Sequence, residues 1–476
     1  MPAASDTRTF AVSSWLFARG LGAVLLLAFV SLGVQAMGLF GSNGVMPISM
    51  FVDAAKSAGH SFWQHPSALW WASGDGMITG VWVVGTIASV ALLIGLAPKV
   101  SLVMSFQWDM LLLEASFTAF FFVPWRAWDR LAGHPEPHPV ARWALWWLLF
   151  RLVFRSAYVK LASGDPTWAD MSALSYHYWT QPLPTTLAWY ANLLPDGIQK
   201  LACAVMFAIE FGAPVLLWVP RAWARRAAAG SIAALMLLIG FTGNYGFFNL
   251  LTIVLCLPLL DDRLLRRFVP RRFLVKAGPE RESKWSTWPG VAPAIVIALS
   301  AALFFTGTLG QRPPRWLSPI YPFSTFNNYG LFAVMTTERP EISIEGTLDG
   351  KIWKPYVFRY KPGPLDRAPV WTAPHQPRLD WQMWFAALGD YRRNTWLGNL
   401  MTRLLQDEPS VLALIGENPF EDAPPKQIRA VIYRYEPTGR DERDATGQWW
   451  KRRDRLLYAP ILGVEIEPAK PTSTAE

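Results

Sequence analysis

Charge is what this chain has least of. Asp, Glu, Lys and Arg make up 17% of its 476 residues, against 52% hydrophobic residues. A water-soluble domain carries about 25% charge, so solubility over the whole length is excluded. Cysteine is nearly absent: Cys203 and Cys256 are the two, and both lie in apolar runs. That excludes a disulfide framework and a cysteine-built zinc site and leaves buried, inert thiols. Gly-rich phosphate loops and Gly-x-Ser-x-Gly are missing, so dinucleotide, ATP and ordinary serine-hydrolase chemistry have no support. His177 has no second histidine at metal-ligand spacing, so no metal site is expected, and nothing calls for a cofactor.

Long apolar runs are what the chain has instead. Residues 15–37, 77–96, 100–123, 143–161, 201–219, 231–260 and 291–309 are each near or beyond the roughly 20 residues that cross a bilayer. The first run follows Arg8, is longer than a signal h-region and lacks a small-residue cleavage site, so it reads as an uncleaved anchor. The run 231–260 contains Thr242-Gly243-Asn244-Tyr245-Gly246, a breaker cluster that either splits it into two helical pieces or kinks one long tilted helix. The 26 tryptophans suit interface belts. From Arg312 onward there are 22 Lys/Arg and 20 Asp/Glu, so most of the net charge of +9 belongs to the apolar part, much of it between Arg221 and Lys284. Arginines clustered beside spans read as cytoplasmic loop, and the last span then carries the rest of the chain outside. They do not read as a nucleic-acid surface.

After Gly310 the pattern changes. Residues 341–347 alternate as a strand should, Asp349-Gly350 signals a hairpin, and 352–360 reads as the partner strand. Residues 378–406 read as helical, and 427–435 and 448–458 as further strands. The expected architecture is a polytopic α-helical membrane bundle over residues 1–310, interrupted near 240–250. A small soluble α+β domain with antiparallel strands follows over 311–467, with a disordered tail over 468–476.

Several polar residues sit where hydrocarbon would make them costly. Gln107 and Glu114 share a helix face, Asp109 points elsewhere, and Arg151 and Arg155 share a face of the next span. With Lys160 and Asn244 they form an intramembrane polar core that either pairs helix to helix or lines a cavity. Lys160, near its helix end, either snorkels to the surface or serves as a desolvated base. The loop that follows carries Gly164, Asp165, Trp168, Tyr176, His177, Tyr178 and Gln181. His177 is either part of an interfacial aromatic cluster or an acid/base group, with Glu114 a third chemical candidate. Arg378, Asp380, Trp381 and Trp384 suit either a client-binding anchor or a helix packed on a sheet.

Taken together these residues resemble the lipase maturation factor family of polytopic membrane proteins, over nearly the whole chain. The resemblance is carried by Gly38-Leu39-Phe40-Gly41 with Gly44 and Pro47, Gln107-Trp108-Asp109 through Glu114, and Phe150-Arg151-Leu152 to Lys160-Leu161. It continues in Gly164-Asp165-Pro166-Thr167-Trp168, Tyr176-His177-Tyr178 with Thr180-Gln181-Pro182, and Thr242-Gly243-Asn244-Tyr245. Beyond the spans it covers Asn328-Tyr329-Gly330-Leu331-Phe332, Gly346-Thr347, Lys361-Pro362-Gly363, Pro377-Arg378-Leu379-Asp380-Trp381 and Asn418-Pro419-Phe420. It implies a non-catalytic, chaperone-like factor that helps exported clients such as lipases to fold or assemble. The C-terminal domain would engage the client from the lumen of the endoplasmic reticulum or, in a bacterium, from the periplasmic side of the inner membrane. More locally, Tyr158-Val159-Lys160-Leu161 with Asp165 and Trp168 is similar to the lysine region of the vitamin K-dependent γ-carboxylase group, which implies Lys160 as a base. An intramembrane enzyme, and a transporter or scaffold, therefore stand as alternatives.

Overall fold

The computed structural model describes residues 9–95, 107–124, 129–131, 134–270, 273, 288–312, 314–323 and 325–463. Thirteen helices among them precede the first strand: α1 Ala11–Phe40, α2 Ile48–Ser57, α3 Asp75–Ile94, α4 Gln107–Phe122, α5 Pro139–Ala162, α6 Pro166–Ala169, α7 Ala173–Thr180, α8 Thr186–Asn192, α9 Asp196–Leu216, α10 Ala222–Thr242, α11 Phe248–Cys256, α12 Asp262–Leu265 and α13 Trp288–Thr308. Five are long and apolar enough to cross a membrane: α1, α3, α9, α10 and the Gly290–Thr308 part of α13. The chain is an integral membrane protein. Its outer faces show Val84, Ile87, Val205, Leu237 and Leu238, each about half exposed or more, which only lipid would cover without cost.

The remaining apolar runs differ from expectation for physical reasons. The run 143–161 lies in α5, whose four cations (Arg142, Arg151, Arg155 and Lys160) suit a helix packed among others; Leu145, Leu149 and Ala157 are fully buried. The described part of 100–123 is α4, with Leu111, Glu114 and Ala115 fully buried, and residues 100–106 lie outside the described ones. Residues 231–260 are two helices, and α10 starts at Ala222, well before the run. Arg225 and Arg226 are therefore helical, and Arg226 meets Asp261 at 2.9 Å, so both flanks of this hairpin share one end of the bundle.

That end is sealed by polar contacts. Glu136 accepts from the Phe10 amide and Asp262 from those of Val12 and Ser13, so two carboxylates cap the start of α1. Arg19 pairs with Asp129 at 2.6 Å. From there α1 runs the full height of the molecule, passing α3 closely: a Cβ on Gly22 would press on the Leu93 backbone at 2.8 Å. Close approach through small residues is how helices associate where lipid removes the hydrophobic drive.

At the opposite end sits the C-terminal part. Its elements are β1 Arg339–Thr347, β2 Lys354–Pro355, β3 Val357–Phe358, α14 Arg378–Ala387, α15 Thr395–Leu405, α16 Pro409–Leu412, β4 Ile415–Glu417, β5 Gln427–Pro437, α17 Arg440–Thr446 and β6 Trp450–Gly463. The main sheet has the order β2-β1-β5-β6, all antiparallel, with Ile342 opposite Ile432 and Ile344 opposite Ala430. Fold class is thus as expected, with local corrections. The stretch 352–360 divides between two sheets, because Pro355 has no amide to continue the ladder and Val357-Phe358 turns to β4. Helical 378–406 is broken after Leu388 by Gly389 and by Asp390, which caps the next turn through the Arg392 amide. The last strand runs on to Gly463.

Gly38 fixes how closely this part approaches α1. An added Cβ there would meet the Ser410 carbonyl and the Leu414 side chain at 2.9 Å. Gly38→Val should lower stability by about 1–3 kcal/mol, the usual overpacking cost. Thermal unfolding in detergent would show it, and trypsin should cut between the bundle and the sheet sooner than in the parent.

Candidate functional site

The polar core resolves into pairs. On α4 Glu114 is fully buried, meets the Arg151 guanidinium of α5, and accepts from the Tyr329 hydroxyl at 2.5 Å and the Asn327 amide at 3.2 Å. Arg151 also donates to the Asn327 carbonyl at 2.9 Å. Asp109 takes both arms of Arg378, at 2.9 and 2.8 Å, in a bidentate pair between bundle and sheet domain. Among the described residues Arg155 has no acid beside it, and it donates to Thr308 Oγ1 and the Gly307 carbonyl of α13. Gln107 opens α4, and its side chain lies outside the described ones.

Lys160 does not snorkel. It is 5% exposed, and its Nζ sits 2.7 Å from both carboxylate oxygens of Glu210 on α9, above the Trp168 ring. Snorkelling would have left a carboxylate buried alone. Glu210 was missed in the sequence, although a single acid inside the apolar run 201–219 was a signal for it. Asn244 fills the break between α10 and α11. Its amide donates to the Leu183 and Val370 carbonyls, and its oxygen accepts from the Thr372 and Ala373 amides.

The loop after α5 is held from both sides. Gly164 turns at φ +73°, and Asp165 caps α6 through Thr167 while accepting the Met335 amide at 2.7 Å. Burial would raise this carboxyl, but those bonds outweigh it and hold it below the usual range. Trp168 is buried and donates to the Phe332 carbonyl. Gln181 and His177 converge on the Tyr245 hydroxyl, at 2.8 and 3.1 Å. Tyr178 stacks edgewise on His177, and Tyr176 lines a cleft toward the sheet. Arg339, also missed, is fully buried. It donates to the carbonyls of Trp179, Gln181 and Pro182 and pairs with Glu341, which in turn meets Lys361 at 2.8 Å.

The four residues that suited either a client-binding anchor or a helix packed on a sheet are buried, as in the second reading. Arg378 is used by Asp109, and Asp380 accepts the Tyr360 and Lys361 amides while burial pushes its carboxyl up. Trp381 packs edge-on against Trp108 at 4.7 Å, and Trp384 donates to the Thr180 carbonyl. They fasten the domain to the bundle and leave no exposed anchor, because the helix that carries them lies between sheet and spans.

The fold and these contacts define a class: a polytopic membrane protein whose C-terminal α+β part is ion-paired onto one end of its own bundle. The pattern of the lipase maturation factor transmembrane domain matches residues 12–105 and 100–267, and that of the lipase maturation factor C-terminal domain matches 325–460. The chain is 32% identical to lipase maturation factor 2 of Homo sapiens over 92% of its own length and 81% of that protein's. It is 31% identical to lipase maturation factor 2 of Gallus gallus, over 94% and 81%, and 29% to lipase maturation factor 1 of Mus musculus, over 98% and 89%. It belongs to the lipase maturation factor family. No solved structure matches it.

Two outcomes follow from this geometry. Arg378→Met should cost about 3–5 kcal/mol by leaving Asp109 without its guanidinium, and adding Asp109→Leu should recover most of that; unfolding of both variants in detergent measures it. Burial first, and then the Lys160 cation, lower His177 to about 4. The unfolded chain binds this proton near pH 6.5 and the folded one only near 4, so stability is lost as pH falls through that window. In His177→Gln the decline of melting temperature from pH 7 to 4 should be shallower than in the parent.

Proposed function

We propose that this chain is a membrane-held maturation factor for exported proteins, with a secreted lipase as the client. Residues 1–310 serve as the membrane platform and 311–467 as the client-facing domain. Membership of the family supports the role, since its curated relatives are named for lipase maturation. The arginine-rich flanks, including Arg226 and Arg263, lie at the end away from the sheet, which supports a cytosolic placement for that end and an exported one for the domain. Where the cell is bacterial the domain faces the periplasm; where it is eukaryotic it faces the lumen of the endoplasmic reticulum.

One observation carries the reading. Strand β6 is the edge of the main sheet and shows Leu456, Leu457 and Ile461 at 64, 62 and 50% exposure. With Arg378, Asp380, Trp381 and Trp384 committed inside, client contact moves to this edge, where an extended segment of an unfolded client can add as a strand. The rival reading, Lys160 as a base in an intramembrane enzyme, has less support because a base needs a free lone pair and this ammonium is clasped by Glu210.

The test is crosslinking in cells followed by quantitative co-purification of a co-expressed secreted lipase. Leu456→Glu with Leu457→Glu should reduce capture several-fold at matched abundance and unchanged melting temperature, and Lys160→Met brought to matched abundance should not. Capture that survives the β6 changes sinks the edge reading, and loss of lipase activity with Lys160→Met at full abundance and full capture favours the enzyme.

A further inference from the structure

A cleft of about 520 Å³ opens where α7 faces the β5–β6 surface. That is within the roughly 300–1,000 Å³ of small-molecule sites. Its two walls differ in chemistry. The α7 wall presents Tyr176 and Trp179, one turn apart, with Ser175 between helix and cleft. The Trp179 indole N–H is already used by the Ser175 carbonyl. The Ser175 Oγ is buried and has no hydrogen-bond partner among the described residues.

The sheet wall is laid out by strand alternation. Arg434 and Glu436 are two apart on β5, Lys451 and Arg453 two apart on β6, and the register sets Arg434 opposite Arg453 and Glu436 opposite Lys451. Two arginines directly opposite are unfavourable alone. Here Arg453 reaches Glu436 at 2.5 Å, Arg434 reaches Glu338 at 3.3 Å, and Lys451 reaches Glu442 at 3.2 Å. Each cation therefore has an acid already. The wall is a charge-balanced lattice of alternating donors and acceptors, not an unsatisfied positive patch.

A phosphate would have to compete with those carboxylates, and an apolar ligand would strand them without water. A polyol does neither. Its hydroxyls donate to Glu338 and Glu436, accept from Arg434, Arg453 and the Asn192 amide at the rim, and its C–H face lies on an aromatic ring. The geometry points to a carbohydrate-binding cleft between α7 and the β5–β6 face, with room for more than one sugar ring. The sugar could be a glycan on a protein or the headgroup of a glycolipid. The inference goes beyond client capture and stands on the cleft alone.

The test uses the full-length protein in a detergent without a sugar headgroup. Saturation-transfer NMR is recorded with mannotriose, chitotriose and maltotriose, and pull-down with nanodiscs containing or lacking a diglucosyl diacylglycerol. At least one trisaccharide or the glycolipid should bind, and Asn192→Ala with Arg453→Ala should weaken it about tenfold or more at unchanged melting temperature. Binding of trisaccharide marks a glycan site, and binding of glycolipid nanodiscs alone marks a headgroup site. Absence of both, equal binding by the variant, or displacement of the sugar by inorganic phosphate overturns the inference. None of these measurements involves a lipase, so the cleft can fail while client capture stands, and the reverse.

Discussion

A charge taken out of water must find its counter-charge inside the chain, and that constraint organises this protein. Three buried pairs run in series: Arg378 to Asp109, Glu114 to Arg151, and Lys160 to Glu210. They connect α14 to α4, α4 to α5, and α5 to α9. Removing one partner of such a pair costs far more than replacing both, so the pairs specify which helices are neighbours. The sheet domain is the first link of this series and is thereby placed by the bundle. A lobe on a flexible tether would have no reason to bury Arg378.

Backbone imposes the second demand. Where a helix stops near membrane depth its carbonyls and amides need protein partners. Asn244 supplies both kinds at the break before α11, and Arg339 gathers three carbonyls from the last turn of α7 and the residues that follow it. Both side chains reach across between bundle and domain, so closing the irregular backbone and fastening the sheet are one structural act. The aromatic cluster of His177, Tyr245, Phe332 and Trp381 fills the space between these two polar anchors. A neutral His177 fits there; an imidazolium would be a buried cation facing the like charge of Lys160.

Much of this was legible in the residues themselves. Length and hydropathy gave the spans, the Thr242–Gly246 breaker cluster read as an interruption, and the alternation at 341–347 read as a strand. That acids and cations would pair between helices was also readable as one of two options. Which ones pair was not, because Glu210 stands fifty residues from Lys160 and Arg378 far further from Asp109. Periodicity describes one element at a time and is silent on what faces it. The same blindness explains Trp381 and Trp384: an aromatic, charged helix face looks the same in sequence whether it waits for a client or is already covered by the chain's own spans. The snorkelling option for Lys160 rested on a cation near a helix end being cheap to expose, and only the carboxylate on α9 makes burial the lower-energy choice.

With its interior committed to pairing, the chain leaves contact with other molecules to its outer surface, and β6 shows how an open edge is tolerated there. Unprotected edge strands invite uncontrolled pairing. In β6 Asp454 adopts φ +56°, where the ladder to β5 shifts register, and Pro460 removes an amide near the other end. Lys451, Arg452 and Arg453 add charge before the bulge. What remains between them is the short run Arg455-Leu456-Leu457-Tyr458-Ala459, itself interrupted by a second register shift at Tyr458. A long continuous edge would hold a partner strand, or a second copy, too firmly to release it. A window of five residues bounded by a bulge and a proline can make only a few backbone hydrogen bonds, each worth about 0.5–1.5 kcal/mol net. Such an edge suits a short extended segment held briefly, which is the contact proposed for a client.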